Sequence, residues 1–354
     1  MTVLQVCAYA APYEGNFIKS LKALGEELSQ KGHKMIYAFP ENAKEIGWCQ
    51  QLTQITDVYF LPLAKARIRL KTYNTLKKIY SKHPDLKIIH SHFELYDVPI
   101  TLTAPKNVDV FWHLHDALEL FGGIKNRIAH NVQYGFLHKS AKLLSVSQKH
   151  MKYVVNKGFP VEKGKFIPNG LDLDRIKPIS SDKNSKKYDF LIFGWEFEIK
   201  GVDLCVEAVK RLGKQVRVAV VGNENTEKII YDRYGKVEGI EVLQPVSDIN
   251  SLYNDCRCFL HISRGEGLSY ALLEAVYAGL PVICSDIKEN MFAQKFGNVK
   301  MVESENVAAI SEAMASMLDN PTNTETAVQN AREIIDNEYS SNCWVKNILN
   351  EYGV

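Results

Sequence analysis

The 354-residue chain has no surplus of either charge: 43 Lys and Arg stand against 41 Asp and Glu, a formal balance of +2. That excludes a global basic field selecting nucleic acid, so any electrostatic recognition must be local. No apolar run approaches the ~18 residues a spanning helix needs. The opening, MTVLQVCAYAAPYEG, places no basic residue before its short apolar stretch, which is not the layout of a secretory signal. Cysteine is sparse and without CxxC pairs: Cys7, Cys49, Cys205, Cys256, Cys258, Cys284 and Cys343 make an odd count, which points to free thiols in a reducing compartment. A cytoplasmic protein is expected, at most peripheral to the inner face of a membrane.

What is present is ordinary globular material, 46% hydrophobic and 24% charged, at a length that suits two domains of ~150 to 200 residues. Short apolar runs at Thr2–Ala10, His33–Phe39, Lys87–His92, Val110–Asp116 and Lys142–Val146 read as buried strands, with helical spacing between them over Asn16–Lys31 and Ile124–Lys139. Such alternation predicts a parallel sheet covered on both faces. The polar stretch DLDRIKPISSDKNSKK then has linker composition. A second series follows: DFLIFG, VRVAVVG, IEVLQP, CFLHIS and PVICSD, each followed by a helical stretch. The fold class expected is α/β, two doubly wound Rossmann-like domains facing a cleft, with ligands outside the carboxyl ends of the strands. The bounds are 1–170 for a first domain, 171–187 for a linker, 188–335 for a second domain, and 336–354 for a helix crossing back to the first domain.

The most informative stretch is HISRGEGLSYALLEAVYAGLPVICSD, His261 to Asp286. A strand ends at Ser263, a turn bracketed by Gly265 and Gly267 follows, and a helix begins near Ser269. Leu268, Ala271, Leu272, Ala275, Val276 and Gly279 make its buried stripe, with Glu274 off it. The NH groups near Leu268, Ser269 and Tyr270 lack intrahelical partners and sit at the positive end of the helix dipole, an anion site. Glu266 and Glu274 are eight residues apart, ~12 Å along a helix axis, which suits hydroxyl groups on either side of a diphosphate. Spacing alone also allows an unremarkable strand, glycine turn and helix with two solvated glutamates.

This stretch closely resembles the signature of the retaining GT-B glycosyltransferases of family four: a glutamate, seven residues, a second glutamate, then an alanine-glycine-proline turn, here Ala278, Gly279 and Pro281. Other pieces fit in order: IPNGLD from Ile167 to Asp172, Lys200 with Gly201, Val221-Gly222-Asn223, and the histidine-bearing strand ends His90–His92 and His115-Asp116. The resemblance implies that Glu266 holds the donor sugar's hydroxyls, Glu274 the ribose, and Lys200 the diphosphate. It implies that His115 projects toward the donor sugar and that Gly15 approaches the diphosphate or acceptor through its backbone. Gly194, Gly222, Asn223, Arg264, Gly265, Gly267, Leu268 and Ser269 complete the donor-binding set. It further implies a nucleoside diphosphate sugar, UDP favoured, as donor, a glycan, lipid-linked or protein hydroxyl as acceptor, no cofactor and no metal.

Two departures stand out. The family usually places an arginine after the glycine that ends the second domain's first strand, where this chain has Trp195 after Gly194. A missing guanidinium should weaken leaving-group stabilisation by ~1.5 to 3 kcal/mol unless something replaces it; Arg264, beside the acidic turn, reads equally as that replacement or as a solvated rim residue. The first loop offers Glu14, Gly15 and Asn16 in place of paired glycines. These leave two competitors, a non-catalytic partner or glycan-binding subunit and a nucleotide-sugar epimerase. Among decoys, Asp172 and Asp174 form a DxD read as chance, and His113 and His115 are expected on opposite sides of the sheet, with His113 structural. Finally, Leu63–His83 interleaves Lys65, Arg67, Arg69, Lys71, Lys77, Lys78 and Lys82 with apolar residues. This reads either as an amphipathic helix on an anionic membrane or as a solvated helix with an apolar core face.

Overall fold

The computed structural model describes the chain except residues 116–123, 137–140, 181–185, 247 and 320–323 and the side chains of 124–127. It divides into two compact units, Met1–Gly170 with Ser340–Val354, and Leu171–Tyr339. Asp116 and the end of the helix expected to reach Lys139 lie outside the described residues.

The first unit runs β1 (Thr2–Cys7), α1 (Gly15–Gln30), β2 (Lys34–Pro40), α2 (Gly47–Thr53), β3 (Val58–Leu61), α3 (Leu70–Lys82), β4 (Leu86–His92), α4 (Asp97–Thr103), β5 (Asp109–Leu114), α5 (Ile124–Phe136), β6 (Ala141–Ser145), α6 (Gln148–Val155) and β7 (Gly164–Phe166). Its seven strands lie in the order β3-β2-β1-β4-β5-β6-β7, every pair parallel. Parallel strands need helical crossovers, and these cover the sheet on both faces. Leu76, Ile79, Tyr96, Ile100, Trp112 and Tyr134 fill one face, and Phe17, Ile18, Leu21 and Leu24 of α1 the other. The second core needs the end of the chain. After the second unit the backbone returns as α13 (Ser341–Tyr352), whose Trp344, Val345, Ile348 and Leu349 pack against α1. Burying each such side chain contributes about 1.5 to 3 kcal/mol, so the helix is integral to the unit.

The second unit runs β8 (Tyr188–Phe193), α7 (Val202–Leu212), β9 (Val218–Val221), α8 (Glu224–Tyr234), β10 (Ile240–Leu243), α9 (Ile249–Asp255), β11 (Cys256–His261), α10 (Tyr270–Ala278), β12 (Val282–Ser285), β13 (Val299–Val302), α11 (Val307–Asp319) and α12 (Glu325–Tyr339). Its sheet order is β10-β9-β8-β11-β12-β13, again parallel. The order reverses between β8 and β11, and in the first unit between β1 and β4. Those reversals open crevices at the strands' carboxyl ends, where doubly wound folds bind ligands. All seven cysteines are free thiols, and six are buried. Among the described residues no helix is long and apolar enough to cross a membrane.

Candidate functional site

At the second unit's reversal point, β8 leads into Gly194 and Trp195, and β11 leads through Ile262 and Ser263 into the turn before α10. Lys200 is brought beside that turn by the residue that follows it. Gly201 caps α7 at φ +74, and a Cβ there would meet the Ile262 carbonyl oxygen at 2.3 Å, so only glycine lets the two segments approach. Trp195, Lys200, His261, Ser263, Ser269 and Ala271 line a small recess together with Phe193, Phe259 and Leu260. Ser269 caps α10 by accepting from the Leu272 NH at 3.4 Å.

Glu266 is the centre of this group. Its carboxylate is 8% exposed, and its Oε1 takes a hydrogen bond from Lys200 Nζ at 2.9 Å with His261 Nε2 at 3.6 Å. Burial by itself would raise the carboxyl. His261, Lys200 and a Ser263 hydrogen bond outweigh it and hold Glu266 below the usual carboxylate range. Burial drives His261 down to about 4, against which Glu266 pulls upward. The result is a buried carboxylate poised between an ammonium and a neutral imidazole, able to exchange one partner for another. His261 escaped the sequence reading, although it stands two residues before the turn in the run CFLHIS.

Glu274 is not on a solvated face. It is 5% exposed because α10 is enclosed on nearly all sides, and its charge is met by Arg175 at 3.0 Å and by the Tyr253 hydroxyl at 3.2 Å. Arg175 comes from a stretch whose composition suggested only a linker.

Arg264 is not placed as a replacement for the missing arginine. Its guanidinium forms a two-pronged pair with Asp203 at 2.8 and 2.7 Å, also donates to the Glu198 carbonyl, and stays out of the recess. A planar fork facing a carboxylate is a preferred geometry, which explains the choice. Trp195 is half-exposed and stacks on Phe193 at 5.1 Å. Asn223 spends its side chain capping α8 in a box with Thr226, and a Cβ on Gly222 would meet Thr226 Oγ1 at 2.5 Å. Gly194 packs under Val202, Gly265 and Leu268 are buried, and Gly267 is half-buried.

In the first unit the expectation for His113 and His115 is corrected. Residues two apart on a strand share a face, and the two rings stack at 4.2 Å. His90 and His92 on the neighbouring strand stack at 4.2 Å as well, and the two pairs lie 5.3 and 5.2 Å apart. The spacing of two in each strand was the missed signal. His90, His92 and His113 have ring nitrogens close enough to share an ion, but both nitrogens of His92 and Nδ1 of His90 already have hydrogen-bonding partners. His115 is bonded on both nitrogens, to Asn169 and His92, and covered by Phe93 at 4.7 Å. Gly15 opens α1 at φ +58 near the Tyr9 hydroxyl, and Glu14 before it pairs with Lys22.

These histidines make the protein sensitive to acid. Burial lowers His90 to about 3 and His115 to about 4, and holds His92 and His113 well below the ordinary 6.5. Between those values and 6.5 the unfolded chain binds more protons than the folded one. The stabilisation is therefore whole above about pH 6.5 and is lost as pH falls toward 4, at roughly 1.4 kcal/mol per pH unit for each histidine. Asp97, which burial raises, acts in the opposite sense but is one group against five with His261. Melting temperature should be level above pH 7 and drop steeply below 6.5; a flat profile to pH 4.5 would refute this.

The basic segment is helical only from Leu70. Leu76, Ile79 and Tyr80 face the core, while Lys71 pairs with Glu41 and Arg67 with Glu94. Its apolar face is thus occupied, and the apolar groups left outside are Leu63, Ile68 and Leu70.

Residues 19–175 match the family model "Glycosyltransferase Family 4", and residues 175–334 match "Glycosyl transferases group 1". An uncharacterized glycosyltransferase of Methanocaldococcus jannaschii is 22% identical over 63% of this chain and 60% of its own length. The lipopolysaccharide glucosyltransferase WaaG of Escherichia coli K12 is 27% identical over 42% of this chain and 45% of its own. The chain therefore spans about half to three fifths of these curated relatives. The crystal structure of Anabaena HepE in complex with UDP and glucose superposes with a TM-score of 0.79 at 17% identity, covering 100% of this chain and 99% of that one, which shows the GT-B fold.

Proposed function

We propose that this chain, in which a glycosyltransferase family 4 domain is followed by a group 1 glycosyl transferase domain, moves a sugar from a nucleoside diphosphate to a hydroxyl acceptor. The observation that carries the reading is the exchangeable Lys200–Glu266 pair beside the start of α10. On arrival of the donor, Lys200 leaves Glu266 for the diphosphate, whose charge grows as the bond to the sugar breaks. Glu266, freed on Oε1 and steadied by His261, accepts hydrogen bonds from the sugar's hydroxyls. The NH groups at the start of α10 face the phosphates. Glu274, braced by Arg175 and Tyr253, receives the ribose hydroxyls. The resemblance implies a further contact, from His115 to the donor sugar. None of the described side chains is nominated as a nucleophile; the resemblance to the retaining family implies attack on the face the phosphate leaves, with retention and without a metal ion.

UDP is favoured as the nucleotide because HepE was crystallised with UDP, and a glycan or lipid-linked acceptor because WaaG builds lipopolysaccharide. A panel of sugar nucleotides tests the reading by thermal melting. At a hundred times its Kd a specific donor adds about 2.7 kcal/mol of apparent stability, and a UDP-sugar should rank first. No shift with any member would sink it. Trp195, in the position of an arginine, favours a non-catalytic relative as the second reading. That reading requires no released nucleotide even when the donor binds, whereas an epimerase would yield an isomerised donor.

A further inference from the structure

Two groups of large apolar side chains stand out into solvent on the first unit. One comes from the connection between β3 and α3 and the helix's first residue: Leu63 is 44% exposed, Ile68 77% and Leu70 78%. The other comes from α5, where Ile128, Val132 and Phe136 are 58%, 48% and 73% exposed. Steps of four residues put these three in one stripe, while the helix turns His130, Gln133 and Tyr134 into the core. Single exposed apolar residues are ordinary, but apolar groups collected in one region mark an interaction surface.

One carboxylate brings the two groups together. Glu94 Oε1 lies 2.9 Å from Arg67 Nη2 and 3.0 Å from His130 Nε2. Arg67 directly precedes Ile68, and His130 stands between Ile128 and Val132 in α5, so the loop passes against that helix. Both meet at the carboxyl ends of the first sheet, since Leu63 follows the end of β3 and Glu94 the end of β4.

The charge of the region says what covers it. From Leu63 to His83 the chain has seven Lys and Arg and no Asp or Glu. Exposed Lys65 and Arg69 alternate with the apolar tips, and exposed Lys77 and Lys78 continue along α3. A second copy of the chain would set these cations against themselves. An anionic bilayer meets both features at once, its headgroups taking the cations and its acyl boundary the aliphatic side chains. Helix α3 is not the inserting element, because its own apolar stripe is spent on the core.

We propose that Leu63–Leu70 and the outward face of α5 form a docking surface for an anionic lipid bilayer. A lipid-borne acceptor held there meets the protein on the side of the sheet where doubly wound folds take ligands. The docking itself concerns binding alone and does not depend on the transferase reading.

Co-sedimentation of the full-length protein with vesicles, of phosphatidylcholine alone or mixed equally with phosphatidylglycerol, tests it. The wild type should bind the mixed vesicles, leave the neutral ones in solution, and be released by added salt. Ile68→Ser with Leu70→Ser, and separately Ile128→Ser with Val132→Ser, should each lower partitioning at least tenfold. Lys65→Gln with Arg69→Gln should lower it roughly ten- to thirtyfold. All six positions are exposed or lie outside the packed cores, so melting temperatures should stay at the wild-type value. Absence of wild-type binding, equal binding to both vesicles, or undiminished binding by any folded variant would overturn the proposal. A wild-type dimer in sedimentation velocity that the serine variants dissolve would assign the surface to a second copy instead. If docking behaves as described and no sugar transfer is found, the transferase reading falls and the surface stands.

Discussion

Glu266→Gln should lose about 10²- to 10³-fold in kcat for sugar transfer while its melting temperature stays close to that of the wild type. The amide is nearly isosteric, and its oxygen can still accept from Lys200, so the empty site keeps its shape. What disappears is the charge. A neutral amide accepts a sugar hydroxyl more weakly than a carboxylate and offers nothing to the positive character that develops at the anomeric carbon. The loss should appear in kcat more than in the KM for the donor, because the interaction strengthens as the bond breaks. A variant turning over within threefold of the wild type would remove Glu266 from the reaction.

The second large effect concerns stability. Lys200→Met should cost about 3 kcal/mol in the donor-free protein, because it leaves the Glu266 carboxylate buried with only a neutral imidazole and a serine beside it. The value sits at the low end of the range for broken buried pairs, since Lys200 keeps 17% of its side chain exposed. Combining Lys200→Met with Glu266→Gln should restore most of the loss, because no uncompensated charge remains. Denaturant unfolding of the four proteins in the cycle measures the coupling directly. Additive losses would mean that the pair is loosely solvated and that Glu266 has no need of a partner.

The parts of this molecule that were legible in the sequence are those determined locally. The central strands announce themselves as uninterrupted apolar runs, since both faces of a parallel sheet are covered, and the turn from Ser263 to Ser269 carries its glycines in plain view. The strands β3, β7 and β13 were not legible. They are edge or short pieces (VYFL, GKF, VKMV) whose pairing depends on a neighbour already in place. Glu266 and Lys200 were readable through family resemblance, but their partnership was not, because it joins residues 66 positions apart. Arg175 looked like linker for the same reason, its meaning lying wholly in Glu274. Arg264 misled because a free guanidinium near an acidic turn and one clamped by Asp203 look identical in sequence. The histidines show a different failure. Their alternation was visible, and the geometry of a strand turns that spacing into a stacked column on one face.

The division of the chain has a consequence for its biogenesis. Residues 171–339 form a contiguous unit, whereas the unit begun at Met1 is closed only by Ser340–Val354. During synthesis, therefore, the later unit has all its residues first, and the earlier one must wait with the core on the α1 side of its sheet incomplete. Not until Ser340–Val354 have been made can Trp344 cover its part of that face and the Tyr352 hydroxyl reach Gln5. The contacts of Tyr352 with Gln5 and His90 are thus made only after the later unit has been synthesised, and a chain stopped before Ser340 lacks them.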